Sequence, residues 1–146
     1  MNPYQQALQH YQAGRLGPAA QLLQTIIRLN PHHAPSWHLM SVIAHKNGHL
    51  EKAVEFINKA AKADNKNGEI QAHRAELLRL AGDLENAVKA GRRAVKFMPK
   101  SGVAHNNLGL VYQDLREFDK AKNSFNQVGS RIFSTHLLKA HPSQNG

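Results

Sequence analysis

At 146 residues the chain has room for one domain, and with 41% hydrophobic and 20% charged residues it is composed like a globular protein rather than a disordered one. The absence of cysteine excludes a disulfide framework and any thiolate metal site, and is consistent with a cytoplasmic setting. A net charge of +9, histidines counted neutral, favours acidic partners or surfaces and says nothing about fold.

The first helix is predicted from Asn2-Pro3, where Asn can cap and Pro suits the first turn, to about Ala13. Gly14-Arg15-Leu16 makes a turn. A partner helix starts near Gly17-Pro18, carries Ala19, Leu22, Leu23, Ile26 and Ile27 inward, and stops at Asn30-Pro31, since proline disfavours helix just before it. From Ser36, Trp37, Met40, Ser41 and Ala44 fall on one helical face; after a break at Asn47-Gly48, Ala53, Ile57 and Ala60 fall on another. Two short helices joined in this way cannot bury their apolar stripes alone, so the hairpin needs copies on either side.

The sequence supplies those copies. Gly14, Gly48 and Gly82 are spaced by 34 residues, as are Ala19, Ala53, Ala87 and Ala121. A third unit is predicted over Glu69–Leu80 and Leu84–Phe97. Gly91 lies within its second helix, where glycine costs about 1 kcal/mol against alanine. The fourth starts near Gly102, turns without glycine at Arg116-Glu117, and is expected to end its second helix at Val128. Gly129 then separates a ninth, capping helix over residues 130–140, carrying Ile132, Phe133, Leu137 and Leu138, from a frayed tail over 141–146.

The fourth unit reads His105-x2-Leu108-Gly109-x2-Tyr112, then Ala121-x3-Phe125; the second reads Trp37-x2-Met40-Ser41-x2-Ala44, then Ala53-x3-Ile57. Over about nine tenths of its length the chain therefore resembles the tetratricopeptide repeat (TPR) family. Against that family's pattern the third unit has Arg74 in place of a large apolar residue and Gly91 in place of an aromatic, so the resemblance implies that this unit packs less densely. The resemblance implies an all-α fold: a right-handed α-solenoid of antiparallel helix pairs. It would comprise four repeats (1–33, 34–67, 68–101 and 102–129) and the capping helix, in a single superhelical domain over 1–140.

The resemblance also implies that the first helices line a concave groove. Their faces not used in packing are Tyr4, Leu8 and Tyr11; His38, Val42 and His45; Ala72, Glu76 and Arg79; and Asn106, Leu110 and Gln113, with Asn107 beside them. Amides match an extended peptide backbone and tyrosines give rigid contact area. The expected function is thus a non-enzymatic scaffold that holds a peptide or helix of another protein, preferentially an acidic one. Arg79, Asn106 and Lys46 have the residue types of the family's clamp for acidic C-terminal tails but not its constellation, which disfavours that role.

Other readings carry less. His38 and His45 share a face, but two turns separate them by about 10 Å, too far for one zinc ion. No metal or cofactor is expected. Lys89, Arg92, Arg93, Lys96 and Lys100 form a basic stripe without any nucleic-acid motif, so it reads as a solvated face. Phosphate loops, nucleophile elbows and H-E-x-x-H pairs are absent, which argues against catalysis. No apolar run reaches the roughly 20 residues that span a bilayer, and residues 1–15 lack a basic-then-apolar leader. The phrase from Gln12 to Ala19 is similar to repeat regions that precede bacterial sulfotransferase or glycosyltransferase domains, so a recognition module of a longer enzyme is the alternative. Self-association through the terminal helix is the second.

Overall fold

A computed structural model describes the backbone of residues 1–140 and the side chains of residues 1–129. Among the described residues there are eight helices: α1 (Pro3–Gln12), α2 (Leu16–Leu29), α3 (Ala34–Lys46), α4 (Leu50–Ala63), α5 (Gly68–Leu80), α6 (Leu84–Phe97), α7 (Gly102–Asp114) and α8 (Phe118–Ala140). They form four antiparallel pairs stacked in chain order, an all-α solenoid.

Local chemistry sets the phase. His33, Asn67 and Ser101, each 34 residues after the last, precede α3, α5 and α7, and each side chain accepts the backbone N–H three residues on. Asn2 and Gln5 form a reciprocal capping box at the start of α1. Within each pair the turn is made by a left-handed residue: Gly14, Gly48 and Gly82 have φ of 79°, 78° and 85°. The fourth turn uses Arg116 in the same place, at φ 62°. A side chain there is strained by roughly 1–2 kcal/mol. Arg116→Gly is expected to raise stability by about 1 kcal/mol, or roughly 2–4 °C in Tm, after allowing for glycine's freer unfolded state. A lower Tm would mean that the guanidinium, 5.9 Å from the Phe118 ring, contributes more than the strain removes.

Small residues let the helices close on one another. Ala7, Ala19, Ala53, Ala87, Ala90, Ala94 and Ala104 are fully buried. A Cβ on Gly109 would lie 2.5 Å from the Phe125 ring, so the ring occupies the space that this glycine leaves. The third repeat does not pack loosely as its sequence suggested. The α5–α6 pair has the most extensive contact of all, because Ala75, Ala87, Ala90 and Gly91 are small and buried. Arg74 leaves no hole there; its Nε donates to Asn58 Oδ1 on α4 at 2.7 Å.

From the second repeat on, one side chain at an equivalent position bonds each repeat to its predecessor. Trp37 Nε1 donates to the Pro31 carbonyl (2.8 Å), Gln71 Nε2 to the Asn65 carbonyl (3.4 Å) and His105 Nε2 to the Pro99 carbonyl (2.8 Å). Since a carbonyl only accepts, Nε2 of His105 carries a proton. Trp37 is half-buried against Phe56, and Lys59 Nζ lies 4.7 Å from its ring centre. Ser41 Oγ, fully buried, donates to the Ala53 carbonyl across the second hairpin.

The C-terminal end differs from expectation. Residues 130–140 are helical but continue α8 through Gly129 rather than forming a ninth helix. Earlier second helices stop at Asn30, Asp64 and Met98; the same period falls on Ile132, and α8 runs through it with Phe133 at the position of Pro31, Asn65 and Pro99. Ile132, Phe133, Leu137 and Leu138 have side chains outside the described residues, as does the whole 141–146 tail.

Candidate functional site

Some first helices of successive pairs approach one another. α5 packs on α7 and α1 touches α3, whereas among the described residues no comparable contact joins two second helices. The residues expected to line the groove lie on α1, α3, α5 and α7.

Its N-terminal end is lined by rings that also pack. Tyr4, Leu8, Tyr11 and Val42 lie against the buried cluster of Leu39, Met40 and Ile43. Tyr4 meets His33 edge to face, and partial burial raises its hydroxyl pKa above 10. Lys46 Nζ sits 5.0 Å from the Tyr11 ring centre.

Farther along, three histidines meet. His73 of α5 has its ring centre 5.3 Å from that of His38 and 6.4 Å from that of His45, both on α3. Burial, and then the neighbouring His38 and His45, lower the His73 pKa from 6.5 to about 4. His38 is lowered too, by burial, against a smaller opposing effect of Glu69. The Nδ1 atom of His73 is buried without a hydrogen-bond partner. Among the described residues no group of three or more His, Cys, Asp and Glu side chains is arranged to hold a metal ion.

At the C-terminal end, Asn106 and Gln113 are exposed and Leu110 is half-buried. Asn107 donates its amide to the Ala72 carbonyl at 3.0 Å, linking α7 to α5. Arg79 reaches from α5 to Asp114 at 3.5 Å. Ala72 is buried and offers no open surface, while Glu76 is half-buried on the wall of a pocket between α5 and α7. The structure carries the expected residues on α1, α3, α5 and α7, with Tyr4, Leu8, Tyr11 and Val42 packed on the core and Ala72 buried. It adds His73, Glu69 and Asp114, which the sequence reading had not assigned to the groove. His73 lies 34 residues before Asn107, so extending that extra position to the other repeats would have found it.

The basic stripe is shorter than expected. α6 ends at Phe97, so Lys100 lies in the following loop. Lys89 pairs with Glu85 at 3.8 Å, and Arg92 Nε donates to the Tyr112 hydroxyl.

Residues 10–77 and residues 103–128 each match a sequence profile described as Tetratricopeptide repeat. The chain belongs to the tetratricopeptide repeat family. A TPR repeat-containing protein of Methanocaldococcus jannaschii is 26% identical over 110 residues, covering 75% of this chain and 19% of that protein. Peroxisome biogenesis protein 5 of Arabidopsis thaliana is 27% identical, covering 86% of this chain and 22% of its own length. The chain therefore spans about a fifth of these relatives. Among solved structures, MamA matches with a TM-score of 0.79 at 19% identity, over 86% of this chain and 73% of that one. YrrB, described as a TPR protein with an unusual peptide-binding site, matches with a TM-score of 0.81 at 17% identity, over 88% and 66%. These structural likenesses establish the fold. No helix among the described residues is long and apolar enough to cross a membrane.

Proposed function

We propose that the chain is a non-enzymatic, cytoplasmic scaffold whose concave face holds a peptide segment or helix of another protein. The observation that carries this reading is the inner face itself. Aromatic, histidine and amide side chains from all four first helices form one partly exposed surface, while the core is already filled by other residues. YrrB, a structural neighbour, is described as having a peptide-binding site, which supports the same use of the fold here. The net charge of +9 favours a partner that is acidic as a whole, met by the exposed lysines and arginines of α6.

Tyr11 packs as well as faces the groove, so Asn106 and Gln113, both exposed, give the cleaner test. Dodecapeptides selected by the full chain from a random phage-displayed library are expected to bind Asn106→Ala/Gln113→Ala at least tenfold more weakly in calorimetry, with Tm within about 2 °C of the parent. Undiminished affinity in the double variant would move the binding surface elsewhere.

A further inference from the structure

The chain is strongly basic, yet one part of its inner face is lined by acceptors. Between α5 and α7 lies a pocket of about 280 Å³. Glu69 and Glu76 stand on its α5 wall, seven residues apart, which is two turns or about 10 Å of helix. Among the described residues neither carboxylate forms an ion pair or hydrogen bond. Arg79, one turn from Glu76, is directed instead to Asp114. On the facing wall, Asn107 donates its amide nitrogen to the Ala72 carbonyl, which leaves its oxygen as an acceptor. His73, between the two glutamates, is neutral at physiological pH and adds no positive charge. Ser101 lines it too, its hydroxyl oxygen accepting the Ala104 N–H; the rest of the lining is apolar. Met98 and Ala72 contribute carbon surface, and Val103 is 66% exposed, an apolar wall open to contact.

A slot with carboxylates along one wall, an amide oxygen opposite and apolar surface between them matches a long methylene stem ending in a group that only donates. Lysine and arginine have that chemistry. An acidic side chain there would meet two uncompensated carboxylates. We propose that this slot is the subsite for a lysine or arginine side chain of the segment held in the groove. The inference rests on the peptide-binding reading above. It adds the selectivity of one position: a partner that is acidic overall presents a basic residue here.

The test uses the full chain and the same random dodecapeptide library. Selected peptides are expected to be enriched in Lys or Arg at one position. Replacing that residue by norleucine, which keeps the stem and removes the charge, should weaken binding about tenfold or more. In Glu69→Gln/Glu76→Gln, which keeps side-chain shape, the norleucine and basic peptides should bind within about twofold of each other, with an unchanged Tm. Two results would overturn the proposal while leaving the groove reading intact. One is peptides sensitive to Asn106→Ala/Gln113→Ala but with no basic preference. The other is a basic preference that survives the glutamine variant. If selected peptides are indifferent to the Asn106 and Gln113 changes, the groove reading fails and the subsite fails with it.

Discussion

Tyr112→Ala is expected to lower stability by about 3–5 kcal/mol, the range for deleting a large buried ring. Tyr112 is 7% exposed and sits with Leu108, Ala121 and half-buried Phe125 where α7 meets α8. Arg92 from α6 donates to its hydroxyl at 3.1 Å, and Lys120 of α8 lies 5.7 Å from its ring centre. One side chain therefore joins three helices. Arg92 is largely exposed, so the hydroxyl itself contributes little: Tyr112→Phe should cost less than about 1 kcal/mol. The loss in the alanine variant should not spread evenly. In a stack each pair touches only its neighbours, so damage at the α7–α8 pair loosens that end first. Circular dichroism melts should broaden, and hydrogen exchange should accelerate in α7 and α8 while α3 and α4 keep their protection. A uniform rise in exchange along the whole chain would show instead that the solenoid unfolds as one cooperative unit.

The stacked architecture was legible because the 34-residue phase repeats in glycines and alanines, whose roles depend on backbone geometry alone. Gly14, Gly48 and Gly82 mark turns that need φ > 0, and the period finds Arg116 in the same conformation without glycine. The links between repeats were not legible. Tryptophan, glutamine and histidine share no obvious property until Trp37, Gln71 and His105 are each seen donating to a carbonyl six residues upstream. The end of α8 was misread by treating Gly129 as a stop. Within a helix glycine costs only about 1 kcal/mol relative to alanine, whereas the earlier stops lie just ahead of Pro31, Asn65 and Pro99, and this repeat has Phe133 at that point.

The groove was legible as a stripe and illegible as chemistry. Spacings of four and three residues along one helix put Tyr4, Leu8 and Tyr11 on one stripe, which packs in part on Leu39, Met40 and Ile43, but they carry no information on what an adjacent helix brings to the same place. Lys46 reaches Tyr11 and His73 meets His38 only because α3 lies between α1 and α5. The acceptor-lined pocket is a similar case: Glu69 and Glu76 acquire a facing wall from Asn107 and Val103, more than 25 residues later in the chain.

The histidine group makes the protein acid-sensitive in a definite window. At pH 8 His73 is neutral whether folded or not, so it contributes nothing to the pH dependence. Below its unfolded pKa of 6.5 the unfolded chain takes up a proton that the folded chain refuses until about pH 4. Stability therefore falls as pH drops from 6.5 to 4 and levels below that, by up to about 3 kcal/mol from this residue. His38, also lowered, acts in the same direction. The groups that face His73 set the size of the effect: His38 and His45 on α3 oppose its charge, while Glu69 and Glu76 flank it on α5. Asp83, whose pKa is lowered by hydrogen bonds from Asn86, loses its contribution only at lower pH, so the two effects separate. Urea denaturation at pH 7.5, 6 and 4.5 should show the wild-type loss, and His73→Asn, which installs the residue found 34 positions later at Asn107, should at least halve it. The ring resonances of His73 should not titrate above pH 5 in NMR. A midpoint near 6.5, or an acid loss unchanged in His73→Asn, would mean that solvent reaches the ring and that the three histidines do not share one dry contact.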